Sequence, residues 1–139
     1  MFGSMIRAVG VCCGFALAIA VRAQQDSFEP DDAPATAKTI ANGLPQNRSL
    51  HPGDEDWATF TIGTNGAANV RIETTAAVAG ASGDTQMWLY HSQNLTKEIA
   101  FNDDGLSGKF SQITLTSLGA GTYYIKVSAV DPLVPISAY

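Results

Sequence analysis

The sequence predicts an all-β domain, a sandwich of about eight short antiparallel strands, and three observations lead to that reading. Short runs rich in β-branched and aromatic residues recur at intervals of roughly ten, the spacing of a sandwich and not of alternating strand and helix units. Within the runs, apolar and polar residues alternate, as strands with one buried face require. Between them stand chemical stops, Asn65-Gly66, Ser82-Gly83-Asp84, Asp103-Asp104-Gly105, Ser107-Gly108 and Gly119-Ala120-Gly121, where Gly admits positive φ and Asp or Asn bonds back to the backbone.

The candidate strands, in chain order, are 39–41, 48–50, 57–62, 68–75, 86–90, 98–101, 111–118 and 122–129. In the third, Ala58, Phe60 and Ile62 share one face, and Trp57, Thr59 and Thr61 the other. In the fourth, Val70 and Ile72 alternate with Arg71 and Glu73, a half-buried pattern. Met87 and Leu89 oppose Trp88 and Tyr90, so both faces of the fifth are bulky and it is placed in the interior of a sheet. Ile113 pairs with Leu115, and Tyr123 with Ile125 and Val127, which leaves Tyr124, Lys126 and Ser128 outward. Burying such side chains contributes about 1.5 to 3 kcal/mol each, enough together to offset chain entropy without disulfides.

The N-terminus has a different character. Arg7 precedes an almost wholly apolar or small run at 8–21, and Val21-Arg22-Ala23 resembles a signal-peptidase site, so 1–23 reads as a cleaved signal peptide. The run is shorter than the roughly 18 to 20 residues that span a bilayer, so no transmembrane anchor is expected. A buried core helix is the competing reading, and it lacks a helical partner later in the chain. Cys12 and Cys13 both lie in this segment, without the small residue that usually precedes a lipidated Cys, and the chain from Gln24 onward has no Cys. The expected location is secreted, periplasmic or at the cell surface.

Beyond the signal peptide, 24–36 is an acidic, proline-containing lead-in expected to be extended, 37–130 is the sandwich, and 131–139 is an irregular tail. The size fits one core. All 13 acidic residues lie after Ala23 whereas Arg7 and Arg22 do not, so the exported chain is more acidic than the formal net charge of −5. Such a surface is a poor partner for nucleic acid. Catalytic equipment is thin: the histidines are His51, in a turn, and His91, after a strand, and neither a His-Glu-x-x-His nor a Gly-x-Ser-x-Gly motif is present. The chain therefore reads as a non-enzyme.

Five fragments carry a resemblance: residues 29–37 (Glu-Pro-Asp-Asp-Ala-Pro-Ala-Thr-Ala), 52–60 (Pro-Gly-Asp-Glu-Asp-Trp-Ala-Thr-Phe), Trp88-Leu89-Tyr90, Asn102-Asp103-Asp104, and 118–127 (Leu-Gly-Ala-Gly-Thr-Tyr-Tyr-Ile-Lys-Val). In this order and spacing, across 26–130, the chain resembles the bacterial pre-peptidase C-terminal domain. The resemblance implies a jelly-roll-like sandwich that accompanies secreted peptidases and other exported enzymes, in some members binding an insoluble extracellular polymer. It also implies calcium in some members, and the carry-over lands on Glu29, Asp31, Asp32, Asp54, Asp56 and Tyr123. Asp31 replaces the Asn usual in that motif, which keeps an oxygen ligand and adds negative charge. Calcium takes six to eight oxygens and tolerates irregular geometry, so two converging acidic loops would suffice. The same acids also read as solvated turn residues, and both readings stand at this point.

Exposed aromatics offer a second functional class, a platform for sugar rings or peptide built from Trp88, Tyr90 and Tyr124, with Trp57 as a further candidate. The alternative is that Trp57 and Trp88 fill the two sides of the sandwich. Members of the family usually close with a further strand, but Pro132 and Pro135 make a long paired strand in the tail improbable. An open edge, and with it self-association, is the expected consequence.

Overall fold

The computed structural model describes residues 26–106 and 108–139; the expected signal peptide, 1–23, lies outside them. Among the described residues, seven strands form two sheets. They are β1 (Lys38–Thr39), β2 (Glu55–Ile62), β3 (Ala67–Glu73), β4 (Thr85–His91), β5 (Asn94–Asn102), β6 (Gln112–Leu118) and β7 (Gly121–Ala129). The larger sheet has the order β1-β2-β7-β4-β5, and β3 and β6 make the smaller one. All pairings are antiparallel except that of β1 with β2. Each strand except β5 matches an expected strand within two residues at either end, although β1 omits Ile40 and Ala41; β5 starts four residues early, because the hairpin turns at Ser92-Gln93.

Alternation places the core where the sequence pattern predicts it. Ala58, Met87, Leu89, Tyr123, Ile125 and Val127 of the large sheet meet Ile113 and Leu118 of the small one, with Phe60, Ile62, Val70, Ile72 and Leu115 packed against them. One end of the sandwich is fastened by hydroxyls instead. Thr85 of β4 lies within hydrogen-bond distance of Thr74 (2.7 Å) and Ser111 (3.0 Å), and Ser111 also donates to the Thr85 carbonyl. All three are buried, so these bonds link the sheets where an apolar contact would otherwise stand.

Three expectations need correction. Residues 48–50 form no strand in either sheet; Leu50 instead bridges Ile136, each backbone N–H donating to the other's carbonyl at 2.9 Å, and Arg48 pairs likewise with Tyr139. The tail therefore does not lie outside the domain. Pro132 and Pro135 do keep it from adding a strand, yet Ile136 and Tyr139 are buried with the core, so the packed unit extends to 139. The lead-in is also packed, not merely extended: Pro34–Thr36 form a 3-10 turn, and the Asp31 carbonyl accepts a hydrogen bond from the Trp57 N–H at 2.9 Å.

Candidate functional site

Lead-in, pre-β2 loop and tail converge at one end of β2. Glu29 comes from the lead-in, Asp54 from the turn before β2, and Asp56 from its second residue; each offers a carboxylate oxygen, and these oxygens lie within 4.8 Å of one another. Asp31, from the lead-in, is 1% exposed and Asp56 2%. Local chemistry explains the convergence. The Asp54 carboxylate accepts from the His51 and Glu55 N–H groups, both at 3.0 Å, and so closes the turn that contains Gly53 at φ 80°. Strand alternation then points Asp56 inward beside Ala58.

One oxygen of each of three carboxylates is held by a donor. Glu29 Oε2 accepts from the Asp31 N–H at 3.2 Å, Asp31 Oδ2 from the Arg48 guanidinium, and Asp56 Oδ2 from the Tyr139 hydroxyl. The other oxygen of each, Glu29 Oε1, Asp31 Oδ1 and Asp56 Oδ1, is buried and has no hydrogen-bond partner. Unpaired buried acceptors are costly. An oxygen-only donor set with irregular spacing suits a hard divalent cation such as calcium, and the residues fit it.

The electrostatics agree. Burial pushes the Asp56 carboxyl up to about 8; the Tyr139 hydrogen bond pulls it down, and the Asp31 charge adds to the rise. Burial likewise raises Glu29, Asp54 and Asp31, with the Arg48 guanidinium pulling Asp31 back. Burial, then the Asp56 charge, raises the Tyr139 phenol well above its ordinary value. Asp32 is exposed, and after burial its negative charge helps raise Asp54, so it belongs to the rim of the cluster.

Tyr123 is not brought to this site. Asp56 pairs with Val127 across the β2–β7 ladder, whereas Tyr123 pairs with Phe60 four residues further along. Its hydroxyl donates to the Gly119 carbonyl at 2.9 Å, and its ring packs on Phe60 and edge-on to His91. The tyrosine at the carboxylates is Tyr139. Sequence reasoning missed both Tyr139 and Arg48. Tyr139 follows two prolines in a segment without periodicity, and the only signal for Arg48 is a lone cation at the start of a short β-like run.

The sequence profile of the bacterial pre-peptidase C-terminal domain matches residues 54–129. The chain belongs to that family. As a pre-peptidase C-terminal domain it is a non-catalytic accessory domain of the kind found with peptidases. A solved relative in fold is the pre-peptidase C-terminal domain of a collagenase from Bacillus anthracis, at a TM-score of 0.57 and 20% identity, covering 71% of this chain and 87% of that one. No curated protein sequence matches the chain. The profile reaches only Asp54 and Asp56 of the cluster; Glu29, Asp31, Arg48 and Tyr139 lie in the flanks. Among the described residues, no helix is long and apolar enough to cross a membrane.

The aromatic candidates sit on the outer face of the large sheet. Register sets Trp57, Lys126, Trp88 and Phe101 in one row across β2, β7, β4 and β5. Trp57 is buried and stacked on Tyr90 at 5.6 Å, which removes it from the platform. Trp88 packs on Phe101 at 5.1 Å with Lys126 Nζ 4.2 Å above its ring, and Tyr124 is half-buried beside Tyr90 in the next row.

Proposed function

We propose that this pre-peptidase C-terminal domain is a secreted accessory module whose fold is stabilised by calcium, held by Glu29, Asp54 and Asp56 with Asp31 adjoining and Asp32 at the rim. One observation carries the reading: of the three carboxylates whose oxygens lie within 4.8 Å of one another, Glu29 and Asp56 each keep a buried oxygen without a partner, and so does the adjoining Asp31. When bound, a calcium ion supplies the missing positive charge and accepts those lone pairs. The chain's own residues orient the carboxylates, through the Asp31 N–H, the Arg48 guanidinium and the Tyr139 hydroxyl. The secretion reading rests on the charged and apolar pattern of 1–23. Its partner is a secreted peptidase or an extracellular polymer.

Thermal unfolding with and without calcium tests the metal reading. A ligand at a hundredfold over its Kd stabilises by about 2.7 kcal/mol, which for a domain of this size raises Tm by roughly 10 to 15 °C. An unchanged Tm at millimolar calcium, measured after chelation, removes the site.

A polymer-binding reading is favoured by the Trp88–Phe101 pair, since Phe101 is 47% exposed on an outer sheet face. Retention on insoluble polysaccharide or collagen that is lost in Trp88→Ala, Tyr90→Ala or Tyr124→Ala supports it. Passage of the unmodified protein through both matrices rules it out.

A further inference from the structure

One cation is built into the wall of the carboxylate cluster. Arg48 is 6% exposed, and its guanidinium donates to Asp31 Oδ2 and, from Nε and Nη2, to Gln46 Oε1 at 3.2 and 2.7 Å. The Phe28 ring lies 4.8 Å from its central carbon. Its backbone is pinned as well, by reciprocal hydrogen bonds with Tyr139 at 3.0 and 2.9 Å. A guanidinium does not lose its proton in proteins, and held by a fork, a ring and a backbone pair it cannot swing away.

We infer that Arg48 is a resident counter-ion of the carboxylate cluster, which offsets the buried charge of Asp31 so that the cluster stays assembled without a divalent cation, and which thereby weakens the cluster's affinity for one. This rests on the calcium reading above. Asp31 places a carboxylate at 1% exposure beside Glu29 and Asp56, which is costly unless paired. Arg48 supplies the pairing while leaving Asp31 Oδ1 unpartnered on the same carboxylate. A divalent ion entering beside Asp31 would meet that fixed positive charge across a poorly screened interior.

Calorimetric calcium titration of the full chain, with Tm measured in chelator, tests this on Arg48→Gln, Asp31→Asn and the double variant. Arg48→Gln is expected to bind calcium at least about tenfold more tightly and to melt at lower temperature in chelator. Asp31→Asn should bind more weakly, and the double variant, which removes both charges, within about threefold of the unmodified protein. If Arg48→Gln does not fold in chelator, Asp31→Asn against the double variant repeats the comparison without the buried anion, and the double variant must again bind more tightly. Equal or weaker binding after loss of Arg48, in a protein that binds calcium when unmodified, overturns the counter-ion role alone. Calcium binding by none of the four proteins overturns the metal reading, and the counter-ion role with it.

Discussion

Replacing Tyr139 by Phe removes one hydroxyl and leaves the buried ring in place, so it isolates the bond to Asp56. In the cation-free protein, Asp56 already has one unpartnered oxygen, and the substitution leaves it two. An unsatisfied buried acceptor costs about 1 to 3 kcal/mol, more when charged. The carboxyl titrates near 8, so the loss should sit near the lower figure at pH 5.5 and near the upper one at pH 9. At roughly 4 to 8 °C per kcal/mol, Tm falls by about 5 °C at the lower pH and by about 15 °C at the higher. Urea unfolding in chelator at both pH values, followed by tryptophan fluorescence, measures the effect. Stability within about 0.5 kcal/mol of the unmodified protein at both pH values would refute the docking of Tyr139 on Asp56.

Three further outcomes follow from the same structure. Because the folded pKa of Asp56 lies above its ordinary value, the folded state holds a proton that the unfolded chain releases. That stabilisation is complete below about pH 4 and is lost as pH rises toward 8, so Tm in chelator should fall across this window and level off above it, against a series in saturating calcium. Thr85→Val keeps shape but removes the hydroxyl between Thr74 and Ser111, and should cost about 1 to 3 kcal/mol in urea unfolding without altering calcium affinity. Asn69, at φ 54° within β3, should tolerate Gly, whereas Val at that exposed position should cost about 1 to 2 kcal/mol, read from the same denaturation curves.

The parts of the fold that alternation controls were readable. Met87, Leu89, Ile113, Ile125 and Val127 fall in the core because strand pleating leaves no other face for them. The grouping of acids was readable too, since Glu29 lies in the lead-in, Asp54 in the turn before β2 and Asp56 at the start of that strand, three acids from short connected stretches of chain. What escaped depends on side chains meeting across long separations with no periodic signal. Tyr123 and Tyr139 are both tyrosines at or after the last strand, and only the β2–β7 register, which puts Asp56 opposite Val127, decides between them. The buried hydroxyls of Thr74, Thr85 and Ser111 read as ordinary polar strand ends until the sheets are stacked.

The site also explains how the flanks of the sandwich are held. The segments before β2 and after β7 bury few large apolar groups, chiefly Leu50, Ile136 and Tyr139. Beside backbone pairs such as Leu50 with Ile136 and Arg48 with Tyr139, they are held by side-chain bonds to carboxylates: Arg48 on Asp31, Tyr139 on Asp56, and the Ser49 N–H on Asp26 at 2.7 Å. Filling the open carboxylate oxygens therefore acts on three chain segments at once, and loosening any one of them degrades the oxygen set that the others present. By linkage, a cation that prefers the assembled cluster must favour docked flanks to the same degree that docked flanks favour the cation. Amide exchange in 26–50 and 131–139 should accordingly slow on calcium addition by a larger factor than exchange in the interior strands β4 and β7, and a uniform change across the domain would contradict that coupling.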